Sequence, residues 1–154
     1  MKRSKKRGIW FYGLSGSGKT YASKILVKKK KNSILIDGDD VRKFLSQDLG
    51  YSSNDRKIQI RRIFGMAKIV LKSNLFPIIS TVYMNKFIAK NLKKNQIHLV
   101  KINRDLKKIM KKHKTYKNKK NVVGRDIQLE SIKSTQIFNS GEKSFCKNIM
   151  KLIK

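Results

Sequence analysis

The sequence predicts an α/β domain: a mostly parallel, five-stranded sheet with helices on both faces. Three observations predict it. Short apolar runs alternate with helical patterns along the chain. A glycine-rich turn lies directly between the first apolar run and the first helical pattern. The 154 residues suffice for one domain with one core.

Each element follows in order. Residues 1–8 (MKRSKKRG) read as a basic tail ahead of a domain spanning 9–154. Ile9-Trp10-Phe11-Tyr12 is a short apolar run, as expected of a buried strand. Thr20–Val27 carries Ala22, Ile25 and Leu26 at helical spacing. Ile34-Leu35-Ile36 is a second strand, stopped by Asp37-Gly38, and Val41–Leu45 continues as a short helix. Asp55–Leu71 has the longest helical pattern, with Ile60, Ile63, Phe64, Ala67 and Leu71 recurring at threes and fours. Pro77 marks where a strand Ile78–Val82 begins. A helix Lys86–Leu92, a strand Ile97–Ile102 and a helix Arg104–Lys111 come next. His113–Asn121 is lysine-rich and aperiodic, the mark of a mobile loop or lid. Gln136-Ile137-Phe138 closes the sheet, and Glu142–Ile153 is the last helix.

Composition narrows the class. Lys and Arg number 39 against 9 Asp and Glu, a formal net charge of +30, yet 39% of residues are hydrophobic, too many for a disordered basic tail. No apolar run approaches the ~18–20 residues that cross a bilayer. No apolar segment follows the basic opening, so a secretory signal is not expected and a cytoplasmic location is. A single cysteine, Cys146, excludes an internal disulfide and a zinc-ligand cluster, and reads as core-facing. The charge has two readings: attraction to polyanions, or compositional drift, since the lysines are spread along the whole chain.

Gly13-Leu14-Ser15-Gly16-Ser17-Gly18-Lys19-Thr20 matches the phosphate loop G-x-x-x-x-G-K-[ST] in full. Gly13, Gly16 and Gly18 allow a tight turn whose N–H groups converge on phosphate oxygens, and the following helix adds its positive N-terminus. Lys19 is placed to reach the β- and γ-phosphates of ATP, and Thr20 to ligate Mg²⁺. The bland alternative, a chance Gly/Ser linker, does not account for the strand before it and the helix after it.

Asp37-Gly38-Asp39-Asp40 places three of the 9 acids directly after the second strand. Ligands of open α/β sheets bind at the carboxyl ends of strands. Carboxylates there can hold Mg²⁺ waters or take a proton from an attacking hydroxyl. The alternative is a helix cap by Asp39 or Asp40. Arg42, Arg56, Arg61 and Arg62 suggest bidentate oxyanion recognition in a chain otherwise rich in lysine; the alternative is a solvated helix face. His98 and Trp10 read as structural.

The runs WFYGLSGSGKT, LIDGDDVRKFL and LGYSSNDRKIQIRR resemble the adenylyl-sulfate (APS) kinases, and NVVGRDI at 121–127 is similar to the end of that family's lid. The resemblance implies a P-loop NTPase-type three-layer sandwich with a mobile lid from His113 to Asp126. It implies transfer of the γ-phosphate of ATP, with Mg²⁺, to the 3′-hydroxyl of adenosine 5′-phosphosulfate in sulfate activation. Asp39 then stands beside the 3′-hydroxyl, and Asp37 supports Mg²⁺ through water. Arg42 and Arg56 hold the phosphosulfate, and Tyr51 packs beside the substrate in a position usually Phe. Gln59 replaces the family's usual substrate-contacting Asn, Tyr83-Met84-Asn85-Lys86 replaces S-P-Y-R, and Lys112-His113 replaces an Arg-Asp pair at the ATP base.

Two alternatives stand beside this expectation. One is a 3′-kinase of another modified nucleotide, such as cytidine diphosphoramidate in surface-polysaccharide synthesis. The other is a basic nucleic-acid-binding protein with a relic phosphate loop, for which the chain offers no RNA-binding signature. A small-molecule nucleotide is thus the expected partner, a homodimer is admitted, and neither a membrane nor nucleic acid is expected.

Overall fold

The computed structural model describes residues 5–112 and 115–154. Strands and helices alternate as β1 (Gly8–Tyr12), α1 (Lys19–Lys29), β2 (Ser33–Asp37), α2 (Gly38–Phe44), α3 (Ser53–Lys72), β3 (Phe76–Thr81), α4 (Lys86–Lys94), β4 (Ile97–Asn103), α5 (Leu106–Lys112), α6 (Thr115–Asn118), β5 (Thr135–Phe138) and α7 (Glu142–Met150), with a 3₁₀ turn at Lys151–Ile153. The five strands lie in the order β2-β3-β1-β4-β5. Every pairing is parallel, so the sheet is wholly rather than mostly parallel.

All five residues of β1 are buried, because helices cover both faces of this central strand. Alternation divides the core in two. Trp10 and Tyr12 pack with Ile79 and Leu99 beneath α3 and α4, while Ile9 and Phe11 pack with Ile78 and Val100 beneath α1 and α7. Ser52 starts α3 through a capping box: its hydroxyl accepts from Asp55 N at 3.1 Å, and Asp55 Oδ2 accepts from Ser52 N at 3.1 Å. Ile60, Ile63, Ala67 and Leu71 then line the buried stripe of α3, each large one contributing roughly 1.5–3 kcal/mol by leaving water. Pro77 is the second residue of β3 rather than its herald; at a strand start the missing N–H costs little, and Gly8 leaves room for its ring.

The loops after β1, β2 and β3 all open at the carboxyl edge of the sheet, which places the phosphate loop, the acidic turn and Tyr83 together. The segment read as aperiodic contains α6, whose Tyr116 packs with Ile109 and Val122 on either side of it and with Leu14. One buried residue among the described ones of so lysine-rich a stretch shows no period. His113 and Lys114 lie outside the described residues. Arg125 holds the segment together, donating to the Tyr116 carbonyl at 2.7 Å and to that of Lys119, and pairing with Asp126 at 2.8 Å. Cys146 is half-buried with its Sγ 3.4 Å from the Tyr21 hydroxyl, not core-facing, because α7 turns Phe145 and Ile149 inward instead.

Candidate active site

The phosphate loop joins β1 to α1. Gly13 sits at φ 149°, and a Cβ there would strike the Ile102 carbonyl, so only glycine fits beneath the loop. No acidic side chain lies in the first turn of α1 and no side chain caps it, leaving its N–H groups and dipole available to an anion. Lys19 is buried, and its Nζ donates to the Leu14 carbonyl at 2.8 Å. Burial pushes its ammonium down to about 8, against the opposing pull of Asp39 and Asp37.

Asp37, at the end of β2, caps α2: its Oδ1 accepts from Asp39 N at 2.9 Å. The capping residue is therefore Asp37, not Asp39 or Asp40, because α2 begins at Gly38. Its other oxygen, Oδ2, accepts from Thr20 Oγ1 at 3.1 Å and from Ser80 Oγ at 2.9 Å. Thr20 and Asp37 thus present adjacent hard oxygens, a donor set that fits Mg²⁺, which keeps several waters and takes few protein ligands. Ser80 was not expected at the site; its only signal was the hydroxyl pair Ser80-Thr81 that closes the run Phe76–Ile79. Asp39, in the first turn of α2, lines the same cavity as Lys19 and Arg56.

Arg42 and Arg56 flank Tyr51. Their guanidinium carbons stand 4.5 and 5.6 Å from its ring centroid. Arg42 donates to the carbonyls of Gly50 and Leu49, and Arg56 to those of Tyr51 (3.2 Å) and Asn121 (2.9 Å). Burial and the neighbouring Arg42 lower the pKa of Arg56 from its ordinary value, so the pair repel each other across the ring and favour an anion between them. Gln59 is buried, and its Nε2 donates to the Gly38 carbonyl at 3.1 Å, which ties α3 to the turn carrying Asp39. Arg61 and Arg62 point elsewhere: Arg61 covers Phe87, and Arg62 forms a bidentate pair with Asp48 at 2.6 and 2.7 Å. Those two are a solvated helix face.

One cavity of about 900 Å³ runs past all these groups. Ser15, Gly16, Lys19 and Thr20 enter its wall from the loop after β1 and the start of α1, and Arg42, Tyr51, Arg56 and Gln59 from α2, α3 and the loop between them, with Asp37 and Asp39 also on the wall. Gly13, Leu14, Ser17 and Gly18 shape the loop without bordering this cavity. Lys119 and Val122 complete the wall from the segment after α5, and Lys119 approaches the Tyr51 ring to 6.0 Å.

The adenylylsulphate kinase family matches residues 5–135. The chain belongs to this family. The adenylyl-sulfate kinase of Buchnera aphidicola subsp. Acyrthosiphon pisum is 34% identical over 175 aligned positions, covering 100% of this chain and 84% of that protein. The Pseudomonas aeruginosa enzyme of the same name is 46% identical over 86 residues, 53% of this chain and 44% of that one, so the match spans less than half of that relative. The fold is that of the Mycobacterium tuberculosis APS kinase CysC in complex with AMPPNP and APS, with a TM-score of 0.81 at 20% identity over 98% of this chain and 97% of that one. Within the family's pattern, the altered segment Tyr83–Lys86 has divided duties: Met84 enters the core, Asn85 caps α4 by accepting from Ile88 N at 2.9 Å, and Lys86 N donates to Glu130 at 2.8 Å. Tyr83 alone of the four borders the cavity.

Proposed function

We propose that the chain transfers the γ-phosphate of ATP to the 3′-hydroxyl of adenosine 5′-phosphosulfate, with Mg²⁺. The observation that carries this reading is a single cavity walled by Lys19 and Thr20 of the phosphate loop, by Asp37 and Asp39, and by Arg42 and Arg56. A nucleotide whose anionic end lies on Arg42 and Arg56 presents its ribose to Asp39, opposite the triphosphate.

The loop amides and the α1 N-terminus cradle the β- and γ-phosphates, and Lys19 exchanges the Leu14 carbonyl for a phosphate oxygen. That exchange neutralises charge as it develops on the transferring group. Asp39 orients the 3′-hydroxyl and accepts its proton as the new P–O bond forms and the γ-phosphorus leaves the ADP oxygen. Thr20 and Asp37 would hold Mg²⁺, which would supply charge neutralisation to the transferring phosphate. Tyr116, whose hydroxyl donates to the Ser15 carbonyl at 3.3 Å, docks the segment 115–127 on the phosphate loop, and we read that segment as a lid that moves to admit ATP. Among the described residues no helix is long and apolar enough to cross a membrane. A cytoplasmic site of action and a homodimer complete the reading, the latter tested by light scattering.

ADP release with adenosine 5′-phosphosulfate, adenosine 5′-monophosphate and cytidine diphosphoramidate as acceptors tests the assignment. Preference for the phosphosulfate supports it. Preference for the diphosphoramidate would reassign the acceptor, and salt-sensitive RNA binding without turnover would remove the kinase reading.

A further inference from the structure

Tyr83 is 5% exposed, belongs to the core cluster beneath α3 and α4, and still borders the cavity that Tyr51 and Arg56 line. Its main chain is pinned by a buried relay: Trp10 Nε1 donates to Thr81 Oγ1 at 2.7 Å, and Thr81 Oγ1 donates to the Tyr83 carbonyl at 3.0 Å. Its ring cannot leave the wall without emptying the core. A phenol keeps its proton at neutral pH and can donate it, and burial and Glu130 hold the Tyr83 pKa higher still.

We propose that the Tyr83 hydroxyl is a specificity-determining contact that donates a hydrogen bond to the anionic group held by Arg56. This inference rests on the phosphoryl-transfer reading. A phenol on a rigid wall adds a neutral, directional donor to a site otherwise read by cations, and it sets the depth available to the group beyond the 5′-phosphate. It acts on the acceptor, the substrate whose anionic group Arg56 is proposed to hold.

Tyr83→Phe keeps the ring and removes the donor. Steady-state kinetics with ATP and adenosine 5′-phosphosulfate each varied, in the wild type, Tyr83→Phe, Arg56→Lys and the double variant, test the proposal. The acceptor KM of Tyr83→Phe should rise about tenfold, the scale of one hydrogen bond to a charged group, with the ATP KM within about twofold. The double variant should lose less than the two single losses combined, because both residues serve one anion. An unchanged acceptor KM, a strictly additive cycle, or equal rises for both substrates would overturn the contact. A wild-type enzyme inactive on this acceptor would overturn the functional reading and the contact with it; an active wild type with an unchanged Tyr83→Phe would overturn the contact alone.

Discussion

Thr20 Oγ1 donates to Asp37 Oδ2 across 3.1 Å, joining the last residue of the phosphate loop to the last residue of β2. That oxygen also accepts from Ser80, so one carboxylate gathers the ends of three neighbouring elements and fixes α2 with its other oxygen. Asp37→Asn should therefore raise the Mg²⁺ concentration needed for half-maximal rate about tenfold or more, because the amide keeps the shape but loses the charge. Asp39→Asn should instead lower kcat by about 10²–10⁴ with little change in Mg²⁺ dependence, since only proton acceptance is lost. Magnesium titrations of both variants check this; identical modest losses would contradict the division of roles.

Lys19 supplies a pH signature. Its ammonium titrates near 8 in the free protein, and only the charged form serves ATP. The value of kcat/KM for ATP should be level below about pH 7 and fall as pH rises through 8, because that ratio reports the free enzyme. The fall in kcat should lie higher, since bound phosphates favour the charged form. Lys19→Ala should cost about 10²–10³ in rate while leaving the thermal transition in place. Rate–pH profiles and calorimetry decide it.

Much of this was legible in the sequence. The glycine spacing and the apolar strand before it specify the loop, and the threefold and fourfold repeat over Asp55–Leu71 specifies α3, because these signals are local. Asp37, Asp39, Arg42, Tyr51, Arg56 and Gln59 all border the cavity as their motifs suggested. What stayed hidden depends on contacts distant in the chain. Ser80 meets Asp37 across 43 positions and Arg56 meets Asn121 across 65. The separation of Arg56 from Arg61 and Arg62 is helical phase: the latter two fall on the outer face of α3, where Asp48 and Phe87 take them.

Arg42 should tolerate lysine poorly. Its Nη1 donates to the carbonyls of Leu49 and Gly50 while the guanidinium carbon stands 4.5 Å from the Tyr51 ring centroid, and an ammonium has no planar face to lay on that ring. Arg42→Lys should raise the acceptor KM about tenfold and leave the ATP KM within about twofold. Equal effects on both substrates would contradict its place at the acceptor end.

Arg125 is a test of the lid. It ties α6 to the turn at 122–127, and its hydrogen bonds hold Asp126 down at about 2. Arg125→Ala should speed limited proteolysis within residues 115–127 and raise the ATP KM severalfold, with the thermal transition of the sheet little changed. Cleavage rates equal to wild type would show that Val122 and Tyr116 hold the segment unaided.

The core itself predicts one stability effect. Ile63 is fully buried between α3 and the sheet, so Ile63→Ala should cost about 2–5 kcal/mol in denaturant unfolding. A loss under 1 kcal/mol would mean that α3 does not pack as described.

The central claim is transfer to a nucleotide 3′-hydroxyl, and the structure of the product tests it most directly. Incubation with Mg·ATP and adenosine 5′-phosphosulfate, followed by ³¹P NMR and mass spectrometry, should show one added phosphate, coupled through its oxygen to the ribose 3′ position, with one ADP formed for each. Phosphate found at another position, or ATP consumed with no phosphorylated nucleotide, would contradict the proposed role of Asp39, on the cavity wall, as the residue that receives the acceptor hydroxyl.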